Sequence, residues 1–156
     1  MQETGADQRE LFRRWPSGVS VTVAELEGRR AGLTVSSLVS LSLEPSLVGV
    51  SIARVASLYE VLQEAGEWAV TVLAGEQAHI AQHFARSVPP IALWDGIPVR
   101  EDDSRLIADA VGWITARTIE EVAAGDHTFC IGAVQGLELG SAASSLVHVN
   151  QTYSPL

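Results

Sequence analysis

The sequence predicts a mainly β protein, an antiparallel β-barrel with short helices at its periphery. Six or seven segments alternate in polarity or are rich in β-branched residues, and most are joined by short turns. Only two or three short segments have helical spacing, which is too few for the strand–helix repeats of a parallel sheet. Strands that are neighbours in sequence are therefore expected to pair antiparallel and close into a barrel.

The first elements are a helix and a strand pair. A short helix is predicted over residues 7–15, followed by a strand over residues 18–24 (GVSVTVA), which alternates and is rich in valine. Residues 25–29 form a turn, and residues 30–35 are predicted to run back. Residues 46–52 are a mostly apolar strand, a pattern typical of strands covered on both faces.

Helical spacing returns in the middle of the chain. Residues 55–65 (VASLYEVLQEA) are predicted to be a helix, with Ser57 as candidate N-cap and Gly66 as its stop. A strand over residues 67–74 follows, and then a second short helix over residues 76–86.

The C-terminal part is predicted to be a long loop followed by three strands. Residues 87–105 carry three prolines and little periodicity, so we expect a loop that covers another part of the molecule. Residues 110–122 and 127–139 form a hairpin, and residues 146–152 the last strand. No repeat or linker divides the chain, which we expect to be one domain over residues 1–156.

Charge and composition exclude several classes of partner. Nineteen acidic residues against ten arginines, with no lysine, give a net charge of −9, which argues against nucleic acid or an anionic membrane surface. No apolar run approaches the roughly 20 residues needed to span a bilayer. Because 47% of the residues are hydrophobic, we expect an apolar interface between two copies, and therefore a homodimer.

The lone cysteine and the N-terminus indicate where the protein works. Cys130 has no partner for an internal disulfide and is expected to be an inert, packed thiol. The opening MQETGADQRE lacks the charged and apolar regions of a signal peptide. We therefore expect a cytoplasmic protein.

The segment with the most functional information is residues 32–45 (GLTVSSLVSLSLEP). It places hydroxyl side chains among small and branched apolar residues: Thr34, Ser36, Ser37, Ser40 and Ser42. Such a segment offers neutral donors and acceptors to a flat ligand with polar edges, without a metal or a fixed charge. The alternative is an edge strand whose serines simply face water.

Several short motifs surround this segment in a fixed order. They are PSGV at residues 16–19, EWAVTVL at 67–73, FAR at 84–86, GW at 112–113 and GDHT at 125–128. In their order and spacing, which extend over about residues 12–153, the chain resembles the flavin reductase family. That family has the FMN-binding split-barrel fold and includes the reductase components of two-component flavin monooxygenases.

The resemblance implies an antiparallel split β-barrel of the FMN-binding type and a specific activity. The protein would be an NAD(P)H:flavin oxidoreductase that transfers a hydride from NADH or NADPH to FMN or FAD. Reduced flavin would then reach a separate monooxygenase by diffusion. The basic residues that the family usually carries on its closing strand are absent from residues 147–153 (VHVNQTY).

The resemblance also implies which residues hold the cofactors. Flavin contacts fall on Thr34, Val35, Ser36, Ser37, Ser51, Ala53, Arg54 and Ser57, and a further family motif on Phe84, Ala85 and Arg86. The flavin phosphate could use backbone donors where the Ser57 helix begins, with Arg54 or Arg86 as charge partner. His127 is expected near the nicotinamide, which it would orient; the alternative is a histidine that only caps the turn.

Other polar and aromatic residues gave weaker hypotheses. His79 and His83, one helical turn apart with Glu76 before them, could bind a metal, but no further ligand motif accompanies them, so no metal is expected. Asp126 beside His127 suggests a hydrolase only weakly, because no GxSxG is present. Trp94, in the long loop, is the candidate lid over the flavin or substrate, whereas Trp68 and Trp113 are expected in the core.

Two other functions stay open at the level of sequence. The barrel could have lost its cofactor and act as a cyclase or isomerase on an apolar small molecule in a natural-product pathway, which the apolar composition would suit. It could also bind or carry flavin without turnover.

Overall fold

Ten strands in two antiparallel sheets form the framework of the computed structural model, which describes residues 4–86 and 88–156. The strands are β1 (Ser17–Gly18), β2 (Ser20–Leu26), β3 (Arg29–Val35), β4 (Val39–Leu43), β5 (Ser46–Ala53), β6 (Glu67–Val72), β7 (Gly112–Ala124), β8 (His127–Leu139), β9 (Leu146–Val149) and β10 (Thr152–Pro155). The helices are α1 (Gly5–Arg13), α2 (Ser57–Ala65), α3 (Ala78–Ala85) and one 3₁₀ turn (Pro90–Ala92).

The larger sheet has seven strands in the order β3-β2-β6-β7-β8-β5-β4 and curls into a split barrel. Every neighbouring pair is antiparallel, as the sequence predicted. The two edge strands, β3 and β4, do not pair with each other, so the barrel has an open seam. A small sheet in the order β1-β9-β10 lies beside it.

Two tight turns set the register of the β2–β3 pair and of the β7–β8 pair. Glu27 and Gly28, with φ of 51° and 79°, join β2 to β3 in a two-residue hairpin. Gly125, with φ of 62°, opens the equally short turn between β7 and β8, so Ala124 pairs with His127. His127 is therefore held at the first position of a strand rather than on a loose loop.

The middle strands are buried on both faces because two apolar clusters sandwich them. Ala24, Trp68 and Val70 belong to the cluster inside the barrel, while Val21 and Val23 belong to an outer cluster beneath α3. This explains why β2 is almost uniformly apolar or small. The expected core position of Trp68 is confirmed, whereas Trp113 is only partly buried.

Helices α2 and α3 close the two clusters. Leu58, Val61 and Leu62 of α2 enter the barrel, and Gly66 ends the helix in the left-handed conformation with φ of 70°. The expected cap was wrong by one residue. Ala56 occupies the N-cap without a side-chain hydrogen bond, and Ser57 is the first helical residue.

The sequence missed three strands, for identifiable reasons. β4 is short, rich in serine and exposed, so its pattern did not separate from the preceding segment. β1 has only two residues. The predicted last strand is two strands, because Asn150 and Gln151 adopt φ of 51° and 62° and reverse the chain.

Membrane insertion through a helix finds no support in the described residues. None of their helices combines the length and the apolar character that crossing a bilayer requires.

Packing inside the barrel predicts that Gly132 tolerates no side chain. An added Cβ would lie 2.5 Å from Cζ2 of the buried Trp68 and 2.9 Å from Cβ of Ala116. Gly132→Ala is expected to lower the free energy of unfolding by about 1–3 kcal/mol. Urea unfolding measures this. Gly18→Ala is the matched control, because its Cβ would meet no atom within 4 Å; equal midpoints for the two variants would contradict the packing argument.

Candidate functional site

A small cavity of about 260 Å³ lies at the open seam, where the ends of β3 and β5 meet the start of β8. We call it the cradle. Its lining residues are Leu33, Thr34, Val35, Ser36, Ser37, Ser51, Ala53 and His127. Seven of these eight were predicted from the sequence as cofactor residues. Leu33 was missed, although its place on β3 between Gly32 and Thr34 could have indicated it.

Ser37 bridges the seam. Strand β4 begins at Val39, which pairs with Gly49 of β5, so Ser51 lies beyond the start of β4. There the Ser37 hydroxyl donates to the Ser51 carbonyl oxygen at 3.1 Å, and the Ser51 N–H donates to Ser37 Oγ at 2.9 Å. One side chain thus replaces a missing strand partner and fixes the distance between the two walls of the cradle.

Of the other cradle hydroxyls, one makes a structural hydrogen bond and two are free. Thr34 Oγ1 donates to the Ala81 carbonyl oxygen of α3 at 2.7 Å, so it ties β3 to the outer layer. The side chains of Ser36 and Ser51 make no hydrogen bond to any described residue. Their hydroxyls are therefore available to a ligand in the cradle.

The edge of β3 adds main-chain groups. The two-residue turn before β3 makes Arg29 a hydrogen-bonded partner of β2, and this pattern recurs at every second residue. Arg30, Gly32 and Thr34 therefore direct their N–H and C=O groups away from the sheet. The Arg30 carbonyl oxygen accepts from Trp94 Nε1 at 3.0 Å, in agreement with this pattern.

His127 enters the cradle from the β7–β8 turn and is paired with its neighbour. Its Nδ1 lies 2.7 Å from Asp126 Oδ1. The hydrogen bond from His127 lowers the pKa of the Asp126 carboxyl, which keeps this acceptor ionised. The pair orients the imidazole and leaves Nε2 without a partner among the described residues.

Arg54 holds the same turn from the other side. Its backbone N–H donates to the Asp126 carbonyl oxygen at 3.1 Å, and its side-chain Nη1 donates to the His127 carbonyl oxygen at 2.7 Å. Its Nη2 also contacts the Gly125 carbonyl oxygen. The guanidinium therefore anchors the hairpin beside the cradle and does not line the cavity.

The remaining predicted residues lie outside the cradle. Ser57 lines a neighbouring cavity of about 570 Å³, which we call the side groove. Phe84 is 1% exposed and packs against Gly32 and Trp94, so it is a core residue. Ala85 and Arg86 are exposed at the end of α3. The start of the predicted loop, Ser87, is outside the described residues.

Trp94 also belongs to the side groove. Its indole packs edge-on against Phe84, with 5.0 Å between ring centroids, and the Arg30 guanidinium lies 3.8 Å from the centre of its ring. It does not cover the cradle, so the predicted lid over that position is not seen. The sequence could not show this, because only the fold brings residue 94 against β3.

Two smaller hypotheses are clarified by the structure. The ring of His83 lies with Nε2 at 2.6 Å from the Leu93 carbonyl oxygen, while His79 is exposed on α3. In the described residues, no group of three or more histidine, cysteine, aspartate or glutamate side chains is arranged to hold a metal. Cys130 is fully buried in the barrel, and burial raises its pKa to about 11, as expected of an inert thiol.

Comparison with known proteins identifies the fold family. The family model described as flavin reductase like domain matches residues 12–156. This chain belongs to the flavin reductase family. The resemblance inferred from the motifs is thereby confirmed, as is the split-barrel fold.

Relatives and solved structures cover almost the whole chain. The reductase component of a 4-hydroxyphenylacetate 3-monooxygenase from Thermus thermophilus is 33% identical, covering 95% of this chain and 94% of that protein. An actinorhodin polyketide dimerase from Streptomyces coelicolor is 35% identical, with coverages of 97% and 88%. The structure of an NADH:FAD oxidoreductase from Streptomyces globisporus C-1027, in complex with NAD and FAD fragments, superposes with a TM-score of 0.88 at 26% identity, covering 97% of this chain and 92% of that one.

The Ser37 bridge generates a prediction that does not depend on any ligand. Ser37→Ala removes a donor and an acceptor together, and we expect a loss of about 1–2 kcal/mol in unfolding free energy. The Ser51 amide should also exchange its hydrogen faster. Urea unfolding and NMR hydrogen exchange measure the two effects. Ser36→Ala, an exposed serine next in sequence, is the control; unchanged protection of Ser51 in Ser37→Ala would contradict the bridge.

Proposed function

We propose that this protein is an NAD(P)H:flavin oxidoreductase whose cradle holds the isoalloxazine ring of FMN or FAD. The observation that carries the proposal is the convergence of three strand ends on one uncharged cavity. Seven residues that sequence motifs assigned to the cofactor or to nicotinamide line that cavity together. Hydroxyl groups and main-chain N–H and C=O groups can form hydrogen bonds with the polar N and O atoms at the edge of a flavin, and they need no metal ion or fixed charge to do so.

Different residues of the cradle would contact different parts of the flavin. The free hydroxyls of Ser36 and Ser51 and the outward main-chain groups of Thr34 would bond the edges of the ring. Val35 and Ala53 would contact its apolar parts. Ser37 sets the width of the cavity through Ser51 and is a positioning residue. A bound flavin supplies the hydride acceptor, so the protein needs only to place the two nucleotides and exclude water.

His127 would position the nicotinamide. Because Asp126 occupies Nδ1, the ring presents Nε2 to the cradle, where it can bond a carboxamide or a phosphate. No side chain is needed as an acid or base at the reacting carbon, since the hydride passes directly between the nucleotides. Arg54 supports this arrangement by holding the turn that carries His127.

The phosphate contacts belong to the same proposal. Ser57 begins α2, and its first-turn N–H groups point out of the helix end, where an anion is favoured. Arg86, exposed at the end of α3, is free of the hairpin contacts that engage Arg54 and is the better charge partner of the two.

Exposed apolar side chains support a homodimer. Val39, Leu41 and Leu43 of β4 are exposed beside the seam, and Ile119 and Leu139 are exposed on the long hairpin. A chain with this much uncovered apolar surface is expected to pair. Like the Thermus thermophilus relative, it would serve a monooxygenase as reductase component, with reduced flavin moving by diffusion in the cytoplasm.

A second function is favoured by one observation, the relative named actinorhodin polyketide dimerase. On this alternative the barrel acts without a cofactor on an apolar small molecule of a natural-product pathway. The cradle argues against it, because its free groups are polar.

Anaerobic stopped-flow mixing with NADH and FMN tests the proposed function. The flavin absorbance near 450 nm is expected to bleach, with NADH consumed in equal amount, because the hydride moves from one nucleotide to the other. The measurement is repeated with FAD and NADPH. A protein that neither binds flavin nor oxidises NADH would overturn the proposal and leave the cofactor-free barrel.

Replacement of His127 distinguishes the binding of NADH from the binding of FMN. His127→Ala is expected to raise the KM for NADH about three- to tenfold, as the loss of one hydrogen bond predicts, with little change in the Kd for FMN. Steady-state kinetics and flavin fluorescence measure the two constants. His79→Ala removes an exposed histidine that does not line the cradle and is the control. Equal losses for NADH and FMN, or none, would count against the positioning role.

A further inference from the structure

The start of β8, which carries His127, has a second anchor besides Arg54. Side chains alternate between the two faces of a strand, so His127 faces the cradle while Thr128, only 4% exposed, faces the barrel interior. There Thr128 Oγ1 donates to the hydroxyl oxygen of Tyr59 on α2 at 3.2 Å. This hydrogen bond ties α2 to the residue that follows His127.

The Thr128 hydroxyl depends on this bond because its surroundings are apolar. Thr128 pairs with Ile52 of β5, which is fully buried, and Cys130, the next residue on the same face of β8, is fully buried too. In the described part of the chain, Tyr59 is the one hydrogen-bond partner of the Thr128 side chain. A buried hydroxyl that loses its partner costs free energy, because water does not reach it. The pair is therefore expected to persist in the folded protein.

Tyr59 is a firm point of attachment because its helical neighbours are buried. Leu58, Val61 and Leu62 are at most 3% exposed and belong to the core cluster inside the barrel, against which the Tyr59 ring also packs. The Tyr59 backbone N–H donates to the Ala56 carbonyl oxygen at 3.0 Å in the first turn of α2. Neither the helix nor the ring can move without disturbing a close-packed core. The Tyr59 hydroxyl therefore has a fixed position relative to the barrel.

Such an anchor matters at the start of β8 because the strand pairing ends there. His127 pairs with Ala53, the last residue of β5, and with Ala124, the last residue of β7. Side-chain contacts therefore have to fix this end of the sheet. Arg54 holds main-chain carbonyl oxygens of the turn, and Tyr59 holds the side chain of the second residue of the strand. A displacement of about 1 Å at a group that orients a substrate can slow a reaction substantially.

We propose that Tyr59 is a positioning residue for NADH, which acts through Thr128 on the orientation of His127. This inference rests on the proposed function, because His127 must contact the nicotinamide nucleotide for its orientation to matter. Tyr59 lines neither the cradle nor the side groove, so an effect of Tyr59 on NADH has to pass through the start of β8. Flavin binding should not depend on Tyr59, since the proposed flavin contacts of Ser36 and Ser51 lie on other segments.

Removal of the Tyr59 hydroxyl tests the inference. Tyr59→Phe is expected to raise the KM for NADH about two- to fivefold, because the histidine remains and only its restraint is lost, while the Kd for FMN should not change. Tyr153→Phe is the matched control. It makes the same change at the other tyrosine of the chain, on β10, whose hydroxyl makes no hydrogen bond to a described residue. An unchanged KM for NADH in Tyr59→Phe, or an equal loss for FMN, overturns the inference.

Two substitutions of Thr128 separate the hydrogen bond from packing. Thr128→Val keeps the shape of the side chain and removes the donor, so it should raise the KM for NADH as Tyr59→Phe does. Thr128→Ser keeps the donor and should leave the KM close to that of the unsubstituted protein. The two variants also carry the test if Tyr59→Phe does not fold. Equal KM values for Thr128→Val and Thr128→Ser would overturn the inference.

A double variant shows whether the effect passes through His127. In a His127→Ala background, Tyr59→Phe is expected to cause no further rise in the KM for NADH, because the side chain that it orients is gone. A purely structural role would instead raise the KM by the same factor in both backgrounds. That result would overturn the inference.

NMR of the histidine rings separates this inference from the proposed function. In Tyr59→Phe the ring signals of His127 should shift, while those of His79, exposed on α3, stay in place. If the His127 signals shift in a protein that neither binds flavin nor oxidises NADH, the proposed function is wrong and Tyr59 still positions His127. Unshifted His127 signals overturn the inference whatever the activity, and if flavin is reduced normally the proposed function stands.

Discussion

The open seam between the edge strands β3 and β4 is the constraint on which the site depends. A barrel with every strand paired would have its wall closed by ladder hydrogen bonds, and no main-chain group there would be free for a ligand. In this protein the two edges of the sheet do not pair, and within the part of the chain that the structure describes the Ser37 side chain makes the hydrogen bonds that span the gap to Ser51. The buried face of α2, formed by Leu58, Val61 and Leu62, packs into the barrel core beside β2 and β3, so the seam can stay open without exposing that core.

Several arginine side chains of this acidic chain pair with acceptors close to them in the structure. Arg54 is engaged by the carbonyls of the β7–β8 turn, Arg105 by Asp103, and Arg100 by Asp102 and Glu138. These arginines fix loops and leave the cradle uncharged. Arg29 differs, because its only ion pair in the described residues is long and exposed. Positive charge is therefore available beside the cradle and not within it.

Much of the fold and part of the site could be predicted from the sequence. The alternation of β2 and the glycine-rich turns were enough to predict antiparallel pairing, because both are local signals. The cradle residues were found through motifs, since the approach of Ser37 to Ser51 depends on where β4 begins, which no local pattern showed. The position of Trp94 against Arg30 could not be predicted for the same reason, because it depends on the path of a loop with little regular structure.

An uncharged cradle also suits a flavin that is released after reduction better than a flavin that stays bound. A reductase component must release its reduced flavin, and related sites change affinity mainly through the rate of dissociation. The neutral hydrogen bonds that Ser36, Ser51 and the β3 main chain would offer to a flavin are each weaker than charge-assisted bonds. Strong retention of the ring would require charge-assisted contacts within the cradle, and its lining residues offer only His127 as an ionisable side chain. The geometry proposed to orient the ring for hydride transfer would therefore also let the reduced flavin leave.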